Sequence, residues 1–322
     1  MIPQRLAANT AAFVAAVLFG SSVVAVRVAV QEIPPLSLVV LRFGQGGLLL
    51  VFVLLLVGMR ELLRVKWHDL PLLILLGAVL FTVFPVTFNA SLRLIEASRG
   101  ALVLATIPLW SALLARIARS ERLVPRQVVG VFLSLGGVGL ALAERGLGWQ
   151  GGLGTLAGDG LMLVTALCGA AYGVLAQRAF ARYNALTVTT YAMVLGTLLL
   201  LPAALVEGLV GVLPQLDRQT VALVVFLGVF GGALGFFLWT FALSRLTPTQ
   251  VAVYINLNPL VAMVLAAALL AEHLTIMFVA GFGAVLMGVL LLNWPKRTEA
   301  ASANLLLVGA RPSGPELYSR SA

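Results

Sequence analysis

Runs of about twenty mostly apolar residues follow one another along this chain with short gaps between them. A helix needs about 20 such residues to cross the hydrocarbon core of a bilayer. About ten runs qualify, near 10–31, 36–58, 70–92, 98–118, 125–144, 156–179, 185–207, 221–244, 249–271 and 275–294. The connections leave no room for a soluble domain. Only 10% of the 322 residues are charged, 61% are hydrophobic, and the mean hydropathy is +1.06. A soluble domain carries roughly 25% charged residues. This chain cannot cover itself with polar surface, so the lipid bilayer is its expected solvent. The fold class expected is an all-α membrane protein with ten transmembrane helices.

The net charge of +9 and pI of about 10.8 would suggest nucleic acid in a soluble protein. Here the basic residues fall between the apolar runs, the pattern of cytoplasmic loops, so no nucleic-acid partner is expected. With the N-terminus inside, the inner loops hold about 13 of them: Arg5; Arg60, Arg64 and Lys66; Arg116, Arg119, Arg122 and Arg126; Arg178 and Arg182; Arg245; Lys296 and Arg297. The outer loops hold about four, Arg93, Arg99, Arg145 and Arg218. Both termini are therefore expected in the cytoplasm, in a bacterial inner membrane. The first run is too long for the core of a signal peptide and is read as a retained span. A single cysteine, Cys168, excludes an internal disulfide framework and a multi-cysteine metal site. No metal and no cofactor are expected. The stretch 298–322 is rich in small residues and is expected to be a disordered cytoplasmic tail.

The chain also repeats itself. "ATIPLWSALLARIARSERLVPRQVVGVFLSLGG" at 105–137 and "NLNPLVAMVLAAALLAEHLTIMFVAGFGAVLMG" at 256–288 share a frame of Pro, Glu, Gly and Gly. The positions are Pro108, Glu121, Gly130, Gly137 and Pro259, Glu272, Gly281, Gly288, each pair 151 apart. Leu76-Gly77 pairs with Leu227-Gly228 at the same offset. At an offset of 149, Gly20 pairs with Gly169 and Gly47 with Gly196. The boundaries expected are 1–145 for a first five-helix repeat and 146–297 for a second. Five is odd, so the second half enters the membrane from the opposite side. Inverted repeats of this kind serve alternating access around a site near the midplane.

About ten residues into a span lies the centre of the bilayer. There, or close by, stand Ser21, Ser22, Phe84, Phe88, Asn89, Thr106, Trp110, Tyr172, Trp239, Tyr254, Asn256 and Asn258. Polar groups rarely face lipid, where an unsatisfied one costs several kcal/mol. Pro108 and Pro259 free the carbonyls of Leu104 and Ile255 and are expected to act as helix hinges. "INLNP" at 255–259 then reads as the wall of a hydrated central cavity. The alternative is that Asn256 and Asn258 bond only to neighbouring helices. The aromatics suit a pocket for an amphipathic organic solute, or ordinary packing.

Arg42 is the basic residue well inside a span, and its repeat mate is Tyr191. It either attracts a solute carboxylate or bonds to a carbonyl. Glu121 and Glu272 close equivalent helices and are expected to gate or to anchor them at the interface. No carboxylate lies at the midplane, which argues against drug/proton antiport.

These features resemble the drug/metabolite transporter superfamily, in particular its EamA family. The resemblance covers about residues 10–294. It rests on "LFGSSVVAVRVAV" in the first span, "LRFGQGGLLL" in the second, and the duplicated Pro/Glu/Gly/Gly frame. It implies two inverted five-helix repeats around a central cavity, with the fifth and tenth spans outermost. Within the family the chain is similar to the YddG-type exporters of aromatic and other neutral amino acids. Export of a small amino acid, by a monomer or weak dimer, is the function implied. Exchange of nucleotide sugars or sugar phosphates is the alternative, and would want several basic residues in the cavity where only Arg42 qualifies. An intramembrane enzyme would need a nucleophile or metal constellation, whereas His68 and His273 lie far apart at span ends.

Overall fold

Several prolines open these helices and Gly208 ends one of them. A computed structural model describes residues 2–30, 32–56, 64–95, 103–118, 124–142, 153–258, 260–261, 264–265 and 276–293. Among those residues the chain is helical, with no strand. Helix α1 spans Ile2–Ala29 and α2 spans Pro35–Leu56. Pro35 opens α2, where its missing N–H has no helical partner to lose. A tight turn at Trp67–Asp69 leads into α3 (Leu70–Gly77), a π-helical segment at Ala78–Val83, and α4 (Phe84–Leu92). Then follow α5 (Ile107–Ile117), α6 (Pro125–Leu142), α7 (Leu153–Phe180) and α8 (Ala185–Glu207). The Asn184 side chain caps α8 by accepting the Thr187 N–H at 2.8 Å. Gly208 ends it with a left-handed φ of 112°. Asp217 caps α9 (Arg218–Phe226) by accepting the Thr220 N–H at 2.7 Å, and that bond holds its carboxyl below the usual range. Helix α9 passes through a second π-helical segment, Leu227–Leu234, into α10 (Gly235–Leu243). Helix α11 (Pro248–Ala252) tightens to a 3-10 helix at Val253–Leu257, and α12 spans Ile276–Asn293.

Among the described residues, six helical stretches are long and apolar enough to cross a membrane: Gln4–Val23, Pro35–Leu56, Trp67–Leu92, Leu153–Phe180, Ala185–Glu207 and Arg218–Leu243. Ile107–Ile117 and Val279–Leu292 are apolar but shorter. The expected ten are thus not all seen at full length. The fourth run breaks at Ala105-Thr106, just ahead of Pro108. In the ninth, the tightened Val253–Leu257 interrupts the α-helix at the corresponding place, just ahead of Pro259, which itself lies outside the described residues.

The two halves are interleaved rather than side by side. Helices α1 and α2 of the first half pack on the π-containing α9–α10 of the second. Correspondingly, α7 and α8 pack on the π-containing α3–α4. Small residues allow the approach. A Cβ added to Gly77 would sit 2.5 Å from the Ala192 carbonyl oxygen, and one on Gly196 would strike the Gly77 carbonyl. The frame glycines meet each other too. A Cβ on Gly130 would lie 2.8 Å from the Gly288 oxygen, and one on Gly137 would lie 2.7 Å from that of Gly281. Sequence number rises along α6 as it falls along α12, so these two helices run antiparallel. Helices α2 and α8 do the same, with Gly44 near Thr197 and Gly47 near Val194.

Polar clusters tie the loops at two places. Buried Asp69 pairs with the Arg182 guanidinium and accepts the Tyr183 hydroxyl at 2.7 Å, while the Lys66 N–H donates to that hydroxyl oxygen at 3.1 Å. Elsewhere, Glu207 accepts the N–H groups of Leu36 at 3.2 Å and Ser37 at 2.7 Å, at the start of α2. The Thr220 hydroxyl donates to Glu32 close by in sequence order to that helix start.

Candidate functional site

One cavity collects residues from several helices. Helix α1 supplies Phe19, Ser22, Val23 and Val26, and α2 supplies Leu38, Val39, Arg42 and Phe43. The π segment gives Leu80, and α4 gives Phe84, Pro85, Phe88 and Asn89. Leu104 and Ile107 flank the break ahead of α5. Gly169, Phe236, Trp239, Ile255 and Asn258 come from the second half. Four pairs of these residues are repeat mates 151 apart: Pro85 and Phe236, Phe88 and Trp239, Leu104 and Ile255, Ile107 and Asn258. The wall is therefore built in part from equivalent positions of the two halves. Leu104 and Ile255 are also the residues four before Pro108 and Pro259 in sequence.

Aromatic rings close much of this surface. Phe236 lies 4.8 Å from Phe19, 5.4 Å from Phe43 and 4.9 Å from Phe81, centroid to centroid. Trp239 adds a contact to Phe19 at 6.0 Å. Phe84 and Phe88 stack at 6.3 Å. Such tilted and offset contacts are worth about 0.5–1.5 kcal/mol each beyond the area they bury.

Four polar side chains stand out on this wall. Ser22 donates back to the Leu18 carbonyl at 2.7 Å, so its hydrogen is committed within α1. Asn89 reaches the Pro35 carbonyl at 3.5 Å, at the limit of a hydrogen bond. The Asn258 side-chain oxygen is buried and makes no hydrogen bond. Arg42 donates through Nη2 to the Gly231 carbonyl at 3.0 Å and lies 4.9 Å from the Phe43 ring centre. Its Nε is buried and unbonded. No Asp or Glu lines the cavity among the described residues.

Of the residues singled out from sequence, the structure brings together Ser22, Arg42, Phe84, Phe88, Asn89, Trp239 and Asn258. It places the others off this wall. Ser21 bonds back to Val17 within α1. Thr106 accepts the Trp110 indole N–H at 3.1 Å, and both serve the turn ahead of α5. Tyr172 is fully buried in the main core. Tyr254 donates its hydroxyl to Asn9 at 2.9 Å. Asn256 is fully buried and donates to the Ser134 hydroxyl at 2.7 Å, a contact between helices. Pro108 sits buried in the first turn of α5. Pro259, Glu121 and Glu272 lie outside the described residues. Sequence reasoning passed over Phe19, Phe43, Pro85, Ile107 and Phe236. The repeat offset carried a signal for two of them: shifting Asn258 by 151 points to Ile107, and Phe236 lies at the mate of Pro85, one turn from Phe88.

The model of the EamA-like transporter family matches residues 6–143 and again residues 156–294. The chain belongs to that family. The family's unit thus occurs twice, in tandem, across most of the sequence. An uncharacterized transporter of Archaeoglobus fulgidus is 28% identical over 273 residues, covering 84% of this chain and 93% of its own. A probable amino-acid metabolite efflux pump of Salmonella typhimurium is 29% identical over 290 residues, covering 86% of this chain and 92% of the pump. A solved crystal structure superposes with a TM-score of 0.75 at 20% identity, over 92% of this chain and 98% of the other, which is a likeness of fold. An EamA-like transporter with helices of membrane length is a multi-pass membrane protein. Its partners are the bilayer and a small-molecule solute.

Proposed function

We propose that this EamA-like transporter is a secondary transporter that exports small neutral amino acids, aromatic ones first, by alternating access. Its ten spans form two inverted five-helix repeats in a bacterial inner membrane, with both termini in the cytoplasm. The observation that carries the reading is the aromatic cavity wall, which includes four mate pairs drawn from both halves. The antiparallel contacts of α6 with α12 and of α2 with α8 support the inversion. The relative named as an amino-acid metabolite efflux pump supports the solute class.

In this orientation the wall residues of α1, α2 and α4 occupy the outer halves of their helices. Their mates at the 149 offset include Tyr172 for Val23 and Val188 for Val39, and both are fully buried. Exchange of conformation between the halves would open these residues to the cytoplasm as the outer wall closes. Interfaces of this kind are bistable rather than continuously deformable, which suits a two-state transporter.

Flux into or out of liposomes holding the purified chain tests the proposal. Phenylalanine, loaded on one side, should equilibrate faster than in empty vesicles. Trp239→Ala should cut that flux about fivefold, as expected for losing about 1 kcal/mol of aromatic contact. Absence of flux for any neutral amino acid would overturn the reading.

A further inference from the structure

We infer that Arg42 is the carboxylate ligand of this cavity, so that the solute must carry a carboxylate and need not carry an ammonium group. The inference rests on the transport reading above and names the chemistry its cavity selects. A guanidinium is always charged and holds five N–H donors. Here it has one hydrogen-bond acceptor, the Gly231 carbonyl at 3.0 Å, together with the Phe43 ring. Its Nε is buried and unbonded, and no carboxylate shares the wall among the described residues. A cation so placed within an apolar surface is costly until an anion reaches it.

Repeat symmetry supplies an independent argument. Arg42 stands where the second half has Tyr191, and Gly231 stands where the first half has Leu80. Leucine at this place is therefore compatible with the repeated architecture, and Leu80 itself lines the cavity. Glycine at 231 is required by something else. A Cβ there would strike the Ser22 hydroxyl and lie 3.1 Å from Arg42 Nη2. Gly231 thus makes room first for Ser22, whose mate is Ala171, and then for Arg42, so the cation and the polar niche beside it are departures from the duplication that fall together. Gly231 also lies within the π segment Leu227–Leu234, where the regular i→i−4 ladder is interrupted, and its carbonyl accepts from the Arg42 side chain. For an ammonium group the wall offers neutral amide oxygens, of which that of Asn258 is buried and unbonded. The site thus favours a carboxylate strongly and an ammonium weakly.

Equilibrium binding to the purified full chain, followed by calorimetry, tests this with four probes: phenylalanine, 3-phenylpropionate, phenethylamine and the neutral N-acetylphenylalaninamide. Phenylalanine and 3-phenylpropionate should bind within about fivefold of each other, and phenethylamine at least about tenfold more weakly, the low end of what a charged hydrogen bond supplies. Arg42→Gln should weaken both carboxylates by at least about tenfold and leave the neutral amide within about twofold. Arg42→Lys should restore part of the loss. If Arg42→Gln does not fold, Arg42→Lys carries the test alone: losing the guanidinium fork while keeping the charge should weaken both carboxylates and leave the neutral amide within about twofold. Carboxylate binding unchanged in Arg42→Gln, or all probes weakened alike, would overturn the inference, since the second result marks a packing role. Arg42-dependent binding of 3-phenylpropionate without binding of phenylalanine would uphold the ligand and sink the amino-acid reading. Phenylalanine binding that ignores Arg42 would do the reverse. Failure of every probe to bind would overturn both.

Discussion

The two π-containing helices, α3–α4 and α9–α10, hold mate positions and reach the same loosened geometry by different means. The π segments end at Val83 and Leu234, which are 151 apart. In the first, Pro85 follows the segment, lacks an N–H, and would push its ring against the Phe81 carbonyl in a regular helix. In the second, the mate of Pro85 is Phe236, and Gly228, Gly231, Gly232 and Gly235 supply the slack instead. The bonds made by the two segments also differ. Thr82 donates to the Gly196 carbonyl at 2.8 Å, whereas the Gly231 carbonyl receives Arg42. Geometry has been kept in both copies while chemistry has diverged. Symmetric positions carry architecture, and asymmetric ones give the cavity its polarity.

The harshest way to strain this comparison is to add one methyl group to each of two mate glycines. At Gly77 the new Cβ meets backbone, the Ala192 carbonyl at 2.5 Å and the Gly196 nitrogen at 2.8 Å. At Gly228 it meets the Gln45 side chain at 2.9 Å, which can move, and the Arg42 carbonyl at 3.3 Å. Gly77→Ala should cost about 3 kcal/mol and Gly228→Ala about 1 kcal/mol, spanning the usual range for overpacking. Thermal unfolding in detergent measures both. Equal costs would mean that the two interfaces are interchangeable after all.

Asn256 and Asn258 give the next largest contrast. Asn258→Leu should reduce phenylalanine flux by about tenfold, the equivalent of about 1.4 kcal/mol lost at the wall. Asn256→Leu removes the bond to Ser134 and should lower the unfolding temperature while leaving solute affinity within about twofold, since a net hydrogen bond is worth about 1 kcal/mol. Reversal of these two outcomes would move the cavity to the other face of the helix.

That pair also shows how far the sequence could be read. The apolar runs, the duplication and the residues near mid-depth are properties of position along the chain, and position along a helix is legible as distance into the bilayer. Which side of the helix faces the cavity is not. Two residues apart on a helix point roughly 200° away from each other, so one of two amides goes to the cavity and the other to a neighbour. Nothing in "INLNP" says which. Thr106 and Trp110 illustrate a related ambiguity: they sit at the right depth but satisfy each other across a broken turn. The frame glycines Gly130, Gly137, Gly281 and Gly288 were legible as a repeat, yet their role is the close crossing of α6 and α12. Only the partner helix reveals that role.

A milder change exchanges mates across the cavity. Phe88→Trp combined with Trp239→Phe preserves the ring inventory and moves it between halves. Each position already holds an aromatic side chain on the same wall. Flux of the double variant should stay within about threefold of the parent, a cost near 0.65 kcal/mol and of the size tolerated for volume-conserving swaps. A loss as large as that of Trp239→Ala would show that the two halves line the cavity in unequal ways even where they match.

The smallest effect should come from Pro85→Ala, which tests how the first π segment is held open. Alanine restores the N–H and removes the ring from the Phe81 carbonyl. If proline is the cause of the loosening, the segment can close toward an α-helix, and stability should rise by up to about 1 kcal/mol. Closing would turn Phe84 and Phe88 relative to the wall, because every residue beyond the segment rotates by the amount that one inserted position contributes. Flux should then fall by about twofold to threefold although the protein is more stable, the usual exchange where activity needs a loosened element. The second segment, which has no proline, offers the control. Gly232→Ala shortens the conformational freedom there without restoring any N–H, and a Cβ at that position lies 3.3 Å from the Arg42 carbonyl. It should lower stability rather than raise it. Opposite signs at the two sites, read from unfolding temperatures, are what separates a proline-held bulge from a glycine-held one.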